Sequence, residues 1–560
     1  MKFVNVLFVV LLYCTHLSAQ VTLPNNLYFT HIGVEDGLCQ NTVCCILQDH
    51  LGFIWLGTKD GLTRYDGYRF RVFKHDAADP MSIGNNFIRV LYEDADGLIW
   101  IGTNVGVYIY NPETENFRKF DVATERGDVI SREVSSIKCD SSGDLWIGVN
   151  WQGVFRYDRR DESLELYEPV PGDTTSLSSV HVWDLCFDGD GNLWVGSQNG
   201  GLDRYDRETD RFVRHRLKGL SDVSRIVLDK QNQLLLGTMK DGLFSFNPYM
   251  GTCQPLLLDS GHKDLFVRAI FVRNSREVVV GTENGIYIYD CVTRKTRHVN
   301  QELGNPYSLS CKAVYSIYCD KEGALWIGTY FGGVNYLPPS SSLIFDKFYP
   351  IGHSDRLSGK AVREFVRDES GIIWIGTEDQ GLNRFDPVSG KFTHYNSRNS
   401  GLSCDNVHGL CVDGDRLYIG TFFGGFNIMD LKTNEIVALG SQMLPDDSVF
   451  SIFRDHDGRI WVGLTYGLCL FHPEDGSFEL VREIPENLFI YDIYQGDDGI
   501  IYFAAYNRGV ITYNPHTGKW GQVESGDEGL LKHVVSINED SAFHIWFGTV
   551  SYTHLTLPTT

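Results

Sequence analysis

Beyond its first twenty residues, this chain of 560 residues has no apolar run near the roughly 20 residues that a membrane-spanning helix needs. It also lacks any run of Lys or Arg, and with a net charge of −23 it would repel a polyanionic backbone, which excludes nucleic acid as an expected partner. Proline is scarce, 17 residues against 57 glycines and 13% aromatics, a balance that excludes a disordered chain and suits short strands joined by tight turns. No Cys-x-x-Cys pair is present, and the 13 cysteines form no small-domain disulfide framework. Cys139, Cys186, Cys319 and Cys411 lie just before the Asp that ends a strand and read as small buried hydrophobes. No nucleophile or metal motif stands out, so no catalytic or metal site is assigned and no cofactor is called for.

At the N-terminus, Lys2 precedes an apolar stretch (Phe3, Val4 and residues 6–13) that ends in Leu17-Ser18-Ala19. Residues 1–19 read as a signal peptide, so the remainder is expected outside the cytoplasm.

The dominant signal is a repeat: an apolar strand, Asp-x-x-Gly, Trp-x-Gly-Thr, then Gly-Leu-x-x-Tyr-Asp. Clear copies hold Trp55, Trp100, Trp146, Trp194, Trp326, Trp374, Trp461 and Trp546; weaker ones centre on Gly237, Gly281, Gly420 and, with the glycine replaced, Ala504. The period is about 45 residues, that of a four-stranded propeller blade. Strand chemistry, with Asp-Gly and Gly-Gly turns, excludes a helical solenoid. The expected fold is all-β, tandem β-propellers with one complete seven-bladed ring and about five blades of a second. The glycine of Trp-x-Gly-Thr is expected where blades press together, and the Trp is read as core. The Asp-x-Asp-Gly turns at Asp94, Asp188 and Asp455 resemble calcium loops but lack the following bidentate Glu, and read as Asx turns.

A ring must close or leave an edge exposed. Tyr28-Phe29-Thr30-His31 reads as an outer strand that precedes every inner strand, so it is assigned to the seventh repeat. The Pro338–Ser342 cluster marks a boundary, giving a first propeller over residues 27–338 and an incomplete second over 343–549. Phe345 to Phe348 is expected to take the closing part in the second ring. Residues 551–560 match no repeat and read as a non-native tail.

At Trp-x-Gly-Thr-x-x-Gly-Leu-x-x-Tyr-Asp the array resembles the two-component regulator propeller repeat. Its opening, Gly33-Val34-Glu35-Asp36-Gly37-Leu38 and then Gly61-Leu62-Thr63-Arg64-Tyr65-Asp66-Gly67-Tyr68, is similar to the start of hybrid two-component sensors. That resemblance implies a periplasmic sensor, acting as a homodimer, that binds oligosaccharides released from glycans and triggers a phosphorelay that induces utilisation genes. It also implies C-terminal immunoglobulin-like, membrane and kinase modules that these residues do not include.

Candidate ligand contacts lie on the face shared by the turn after the second strand and the link between blades. An aromatic stacks on the apolar face of a pyranose while polar neighbours take its hydroxyls. On that basis Trp151, Gln152, Tyr330, Phe331, Phe422, Phe423, Tyr466 and Tyr506 are assigned, with Arg89, Arg363 and His408 on inner strands reaching the channel. Two alternatives remain open. One is a secreted propeller lyase or hydrolase using carboxylates such as Asp60, Asp241, Glu283, Glu378 and Asp379; the other is a protein-interaction scaffold.

Overall fold

A computed structural model describes residues 22–24, 26–217, 220, 222–256, 265–339, 347–348, 356–439, 444–484, 488–524 and 531–550. The signal-peptide stretch, the tail over residues 551–560, Phe345 and Asp346 lie outside them. Among the described residues no helix is long and apolar enough to cross a membrane. The fold is all-β: among the described residues eleven four-stranded antiparallel sheets and one two-stranded sheet follow one another along the chain. The second sheet serves as the pattern, with strands Ile88–Glu93, Ile99–Thr103, Gly106–Asn111 and Asn116–Lys119 in sequential order.

Two compact units divide the chain, residues 1–347 and 348–560. In the first, the innermost strands of seven sheets touch in succession, and the last of them, Val314–Cys319, returns to the first, Val43–Gln48. The seventh sheet takes its outer strand from the N-terminus, Thr30–Ile32, paired with Val334–Leu337. This strand begins two residues later than the aromatic pattern predicts, because Tyr28 and Phe29 serve packing instead: Phe29 is buried and Tyr28 meets Tyr307 edge-on at 5.9 Å. In the second unit five sheets follow in order, from Val362–Arg367 to the two-stranded Val534–Glu539 and Ile545–Thr549. Phe348 packs on Phe385 and Phe392 of the first of these, 5.0 and 5.6 Å between ring centres.

Two devices recur along the blades. The Asp that ends the innermost strand places one oxygen on the tryptophan indole N–H and the other on turn amides: Asp94 Oδ2 accepts from Trp100 Nε1 at 2.8 Å, and Oδ1 accepts from the Asp96 and Leu98 amides. The same bond recurs at Trp55, Trp146, Trp194, Trp326, Trp374, Trp461 and Trp546. A buried hydrogen bond to an ionised acceptor contributes about 1.5–3 kcal/mol, and it explains the six-residue Asp-to-Trp spacing better than a cation would, since both oxygens are occupied. In the second and third blades an arginine of the following blade reaches back as well, Arg159 to Asp94 at 3.1 Å and Arg207 to Asp140 at 2.9 Å.

The second device is the expected close approach. A Cβ on Gly102 would lie 2.6 Å from Val134 Cγ1 of the next blade, and one on Gly328 would lie 2.8 Å from Val43 Cγ1, across the ring closure. Ala504 occupies this position with its methyl fully buried against Val534, so the blade before the two-stranded sheet tolerates one carbon more. All twelve cysteines among the described residues are free, and most are partly buried.

Candidate functional site

The innermost strands share an irregularity that builds a site. In the second blade Ile88 pairs with Thr103 and Val90 with Gly102, so Arg89 between them is a bulge without a strand partner. A bulge re-aims its side chain, and Arg89 turns towards the residue that follows the second strand: its Nε donates to Asn104 Oδ1 at 2.7 Å. The same shift sits at Cys44, Ser135, Trp183, Arg268 and Tyr315 in the first unit, and at Arg363, His408, Phe450, Tyr491 and Val535 in the second. Several bulged residues meet the residue at their own hairpin tip: Arg268 and Glu283 (2.6 Å), Tyr315 and Tyr330 (5.1 Å between rings), Arg363 and Glu378 (2.7 Å), and Tyr491 and Tyr506 (5.5 Å). Bulge and tip therefore form one composite surface in these blades.

In the second unit this surface is a continuous aromatic sheet. Phe422 touches Phe423 (4.0 Å), His408 packs on Phe450 (4.2 Å), Phe450 on Phe489 (4.4 Å), Phe489 on Tyr491 (4.3 Å), and Tyr506 on His533 (4.9 Å). His408 is buried here, and that desolvation, with the Arg363 guanidinium nearby, pushes its pKa down to about 4 in spite of Glu378. Phe423 and Tyr466 stand exposed at the rim.

In the first unit the matching surface mixes rings with cations. Lys59 Nζ lies 4.0 Å over the Tyr330 ring and donates to its hydroxyl at 2.8 Å. Arg89 covers Phe87 at 4.1 Å, and Arg268 covers Phe266 at 3.8 Å and Tyr315 at 4.6 Å. Phe331 is exposed beside Tyr330.

With this geometry in hand, similarity to known proteins becomes informative. Residues 37–60, 82–105, 176–199, 308–331 and 443–466 match the family model described as two component regulator propeller. The chain carries two-component regulator propeller repeats. Its fold matches the extracellular domain ascribed to hybrid two-component system BT3049 from B. thetaiotaomicron, with a TM-score of 0.60 and 22% identity over 94% of this chain and 82% of that one. The corresponding domain of BT4673 from the same organism gives a TM-score of 0.49 and 20% identity over 94% and 76%. Over 59 residues the chain is 39% identical to Histidine kinase P4 of Formosa agariphila, a stretch that covers 10% of this chain and 4% of that protein.

Each matched propeller repeat runs from the link before an innermost strand to the hairpin tip after the second strand, so it spans both halves of the composite surface. The residues assigned from sequence divide accordingly. On the first unit Lys59 links Tyr330, with Phe331 beside it, to the Phe87 ring that Arg89 covers, and Arg363, His408, Phe422, Phe423 and Tyr506 share the surface of the second. Trp151 stands 66% exposed with its ring 4.1 Å from His181. Gln152 is a brace, its amide oxygen accepting from the Ser131 N–H and its nitrogen donating to Val129 O, each at 3.0 Å. Sequence reasoning missed Phe450, Phe489, Tyr491 and Trp183; the signal available was their position directly after, or just before, the buried Val or Ile that opens each inner strand.

Trp151 and Phe423 occupy the left-handed region, φ 71° and 67°, where the corresponding hairpins carry Asn199 and Asn507. Holding a bulky residue there costs about 1 kcal/mol, so some other demand keeps the rings in place. Three of the five carboxylates of the enzyme alternative are engaged by bases: Asp60 by Lys74 at 2.6 Å, Glu283 by Arg268 and Glu378 by Arg363. A separate cleft of about 710 Å³ opens between the first and seventh blades, lined by His31, Asp66, Tyr68, Glu322, Trp326 and Tyr336.

Proposed function

We propose that this chain is the extracytoplasmic ligand-sensing region of a hybrid histidine kinase/response regulator, acting as a periplasmic homodimer in which bound oligosaccharide triggers phosphorelay signalling and transcription of glycan-utilisation genes. The observation that carries the reading is the aromatic surface of the second unit, where bulged and hairpin-tip rings and the buried His408 pack into one apolar cluster beside the Arg363–Glu378 ion pair. Stacked rings bind the apolar face of sugars, and a fixed ion pair at the edge orients their hydroxyls. The propeller repeats and the shared fold of extracellular two-component domains support a sensing role over hydrolysis. The test is thermal melting of the chain with pools of oligosaccharides from defined polysaccharides, followed by chromatography of the pools. A raised melting temperature with intact sugars is expected. Appearance of cleavage products would instead support the lyase or hydrolase reading.

A further inference from the structure

Two cations on the first unit's composite surface have no carboxylate partner among the described residues. Lys59 donates to Tyr330 Oη, and Arg225 donates only to backbone carbonyls, from Nε to Arg268 O at 2.7 Å and from Nη1 to Ser224 O at 3.1 Å. Arg89 and Arg268 face the same opening, each with a single glutamate, Glu133 at 3.2 Å and Glu283 at 2.6 Å. Four cations thus stand against two carboxylates, in a chain whose net charge is −23. They converge on one place: Lys59 and Arg89 lie over the same Phe87 ring at 5.7 and 4.1 Å, Lys59 and Arg268 cover the neighbouring rings of Tyr330 and Tyr315, and Arg225 Nε donates to Arg268 O; the same four cations act on the Cys44 thiol, which burial raises to about 11 against their pull.

Like charges held in a half-buried opening repel one another unless an anion joins them. The cations are also pre-positioned, flanked by the rings of Phe87, Tyr330, Tyr315 and Phe266, so little side-chain entropy is lost when an anion binds. Trp183, the bulged residue of the fourth blade, adds an indole N–H that is buried without a hydrogen-bond partner.

We propose that this opening of the first unit binds the anionic group of an acidic oligosaccharide, a uronate carboxylate or a sulfate ester, with Lys59 and Arg225 as its charge partners. The proposal rests on the glycan-sensing reading and deepens it by naming the ligand class.

The test uses the whole chain and four pools of short oligosaccharides: oligogalacturonides, which carry carboxylates alone; carrageenan oligosaccharides, which carry sulfates alone; and neutral arabinan and xylan fragments. One acidic pool should raise the melting temperature. Titration calorimetry with that pool should show affinity falling about ten-fold as salt rises from 50 to 300 mM, because the charges remain partly exposed. Lys59→Gln should weaken binding about ten-fold at low salt and flatten the salt dependence; Lys59→Arg should restore it. Arg225→Gln serves as a second variant, accepted when its melting temperature without ligand is unchanged. Binding of an acidic pool that ignores both variants overturns the proposal. Stabilisation by neutral pools alone also overturns it while leaving the sensing reading intact, and no response to any pool counts against both.

Discussion

The bulged residues that open the innermost strands are Cys44, Arg89, Ser135, Trp183, Arg268 and Tyr315 in the first unit, and Arg363, His408, Phe450, Tyr491 and Val535 in the second, so one backbone device presents two chemistries. In the first unit cations rest on the rings; in the second the rings rest on one another and the one bulged cation, Arg363, is paired. The difference shows that a propeller blade separates its framework from its function. The Asp–Trp bond and the inter-blade glycine are common to both units, whereas the bulge and the hairpin tip are free to vary because neither contributes a strand pair.

The framework half of that comparison breaks most visibly at the glycines. Gly328 faces Val43 across the closed ring, while the three atoms nearest a Cβ on Gly548 all belong to Ser536 of its own blade, whose rotatable hydroxyl is the one that must shift. Gly328→Val should overpack the closure and cost about 3 kcal/mol, whereas Gly548→Val should stay within about 0.5 kcal/mol. Differential scanning calorimetry of the two variants checks this; equal losses would mean that blade contacts matter equally along the chain.

On the second unit's surface, Phe450 touches His408, Phe422, Phe489 and Tyr491. Phe450→Ala should cost about 2 kcal/mol, at the low end for a ring that is only partly buried, and should abolish the stabilisation given by a stacking sugar. The corresponding change in the first unit, Tyr315→Ala, should leave that stabilisation unaltered.

His408 sharpens the comparison through pH, since no bulged residue of the first unit is a histidine. Its folded pKa, about 4, lies below the ordinary 6.5, so the unfolded chain binds the proton first. The neutral ring's contribution is complete above pH 6.5 and is lost as pH falls from 6.5 towards 4, by at most about 3 kcal/mol. Asp492 of the same unit, raised to about 7 by burial with Glu364 adding to it, acts in the opposite sense, its contribution fading as pH rises from about 4 to 7. His408→Gln should therefore remove the rising contribution of the histidine: the change of melting temperature from pH 4 to 6.5 should be less positive in the variant than in the parent chain.

Much of the framework was legible in the sequence because each part is a local rule. Asp-x-x-Gly followed by Trp-x-Gly-Thr specifies a turn, an indole bond and a close contact within a dozen residues. Hairpin tips were legible too, which is how Tyr330, Phe422 and Tyr506 were found. Phe450 and Tyr491 were not, since in an apolar strand nothing local separates a bulged ring from a core ring; only the slip in register from Val449 to Ser451 turns Phe450 outward. Of the neighbouring pair assigned as ligand contacts, Trp151 stands exposed while the Gln152 amide braces the preceding loop. An exposed tip residue and a structural one have the same sequence signature there.

The smallest expected effect separates strain from function at Trp151 and Phe423. Both hold a left-handed backbone that asparagine adopts at the same place in other blades, so Trp151→Asn and Phe423→Asn should each raise stability by about 0.5–1 kcal/mol. Neither ring is needed by the core, being 66% and 69% exposed. Their loss should be felt only in ligand response, Phe423→Asn reducing stabilisation by neutral sugars and Trp151→Asn reducing binding at the first unit. Melting curves with and without oligosaccharide read both quantities from one sample. A stabilised variant with undiminished ligand response would show that these two rings are strained without being used.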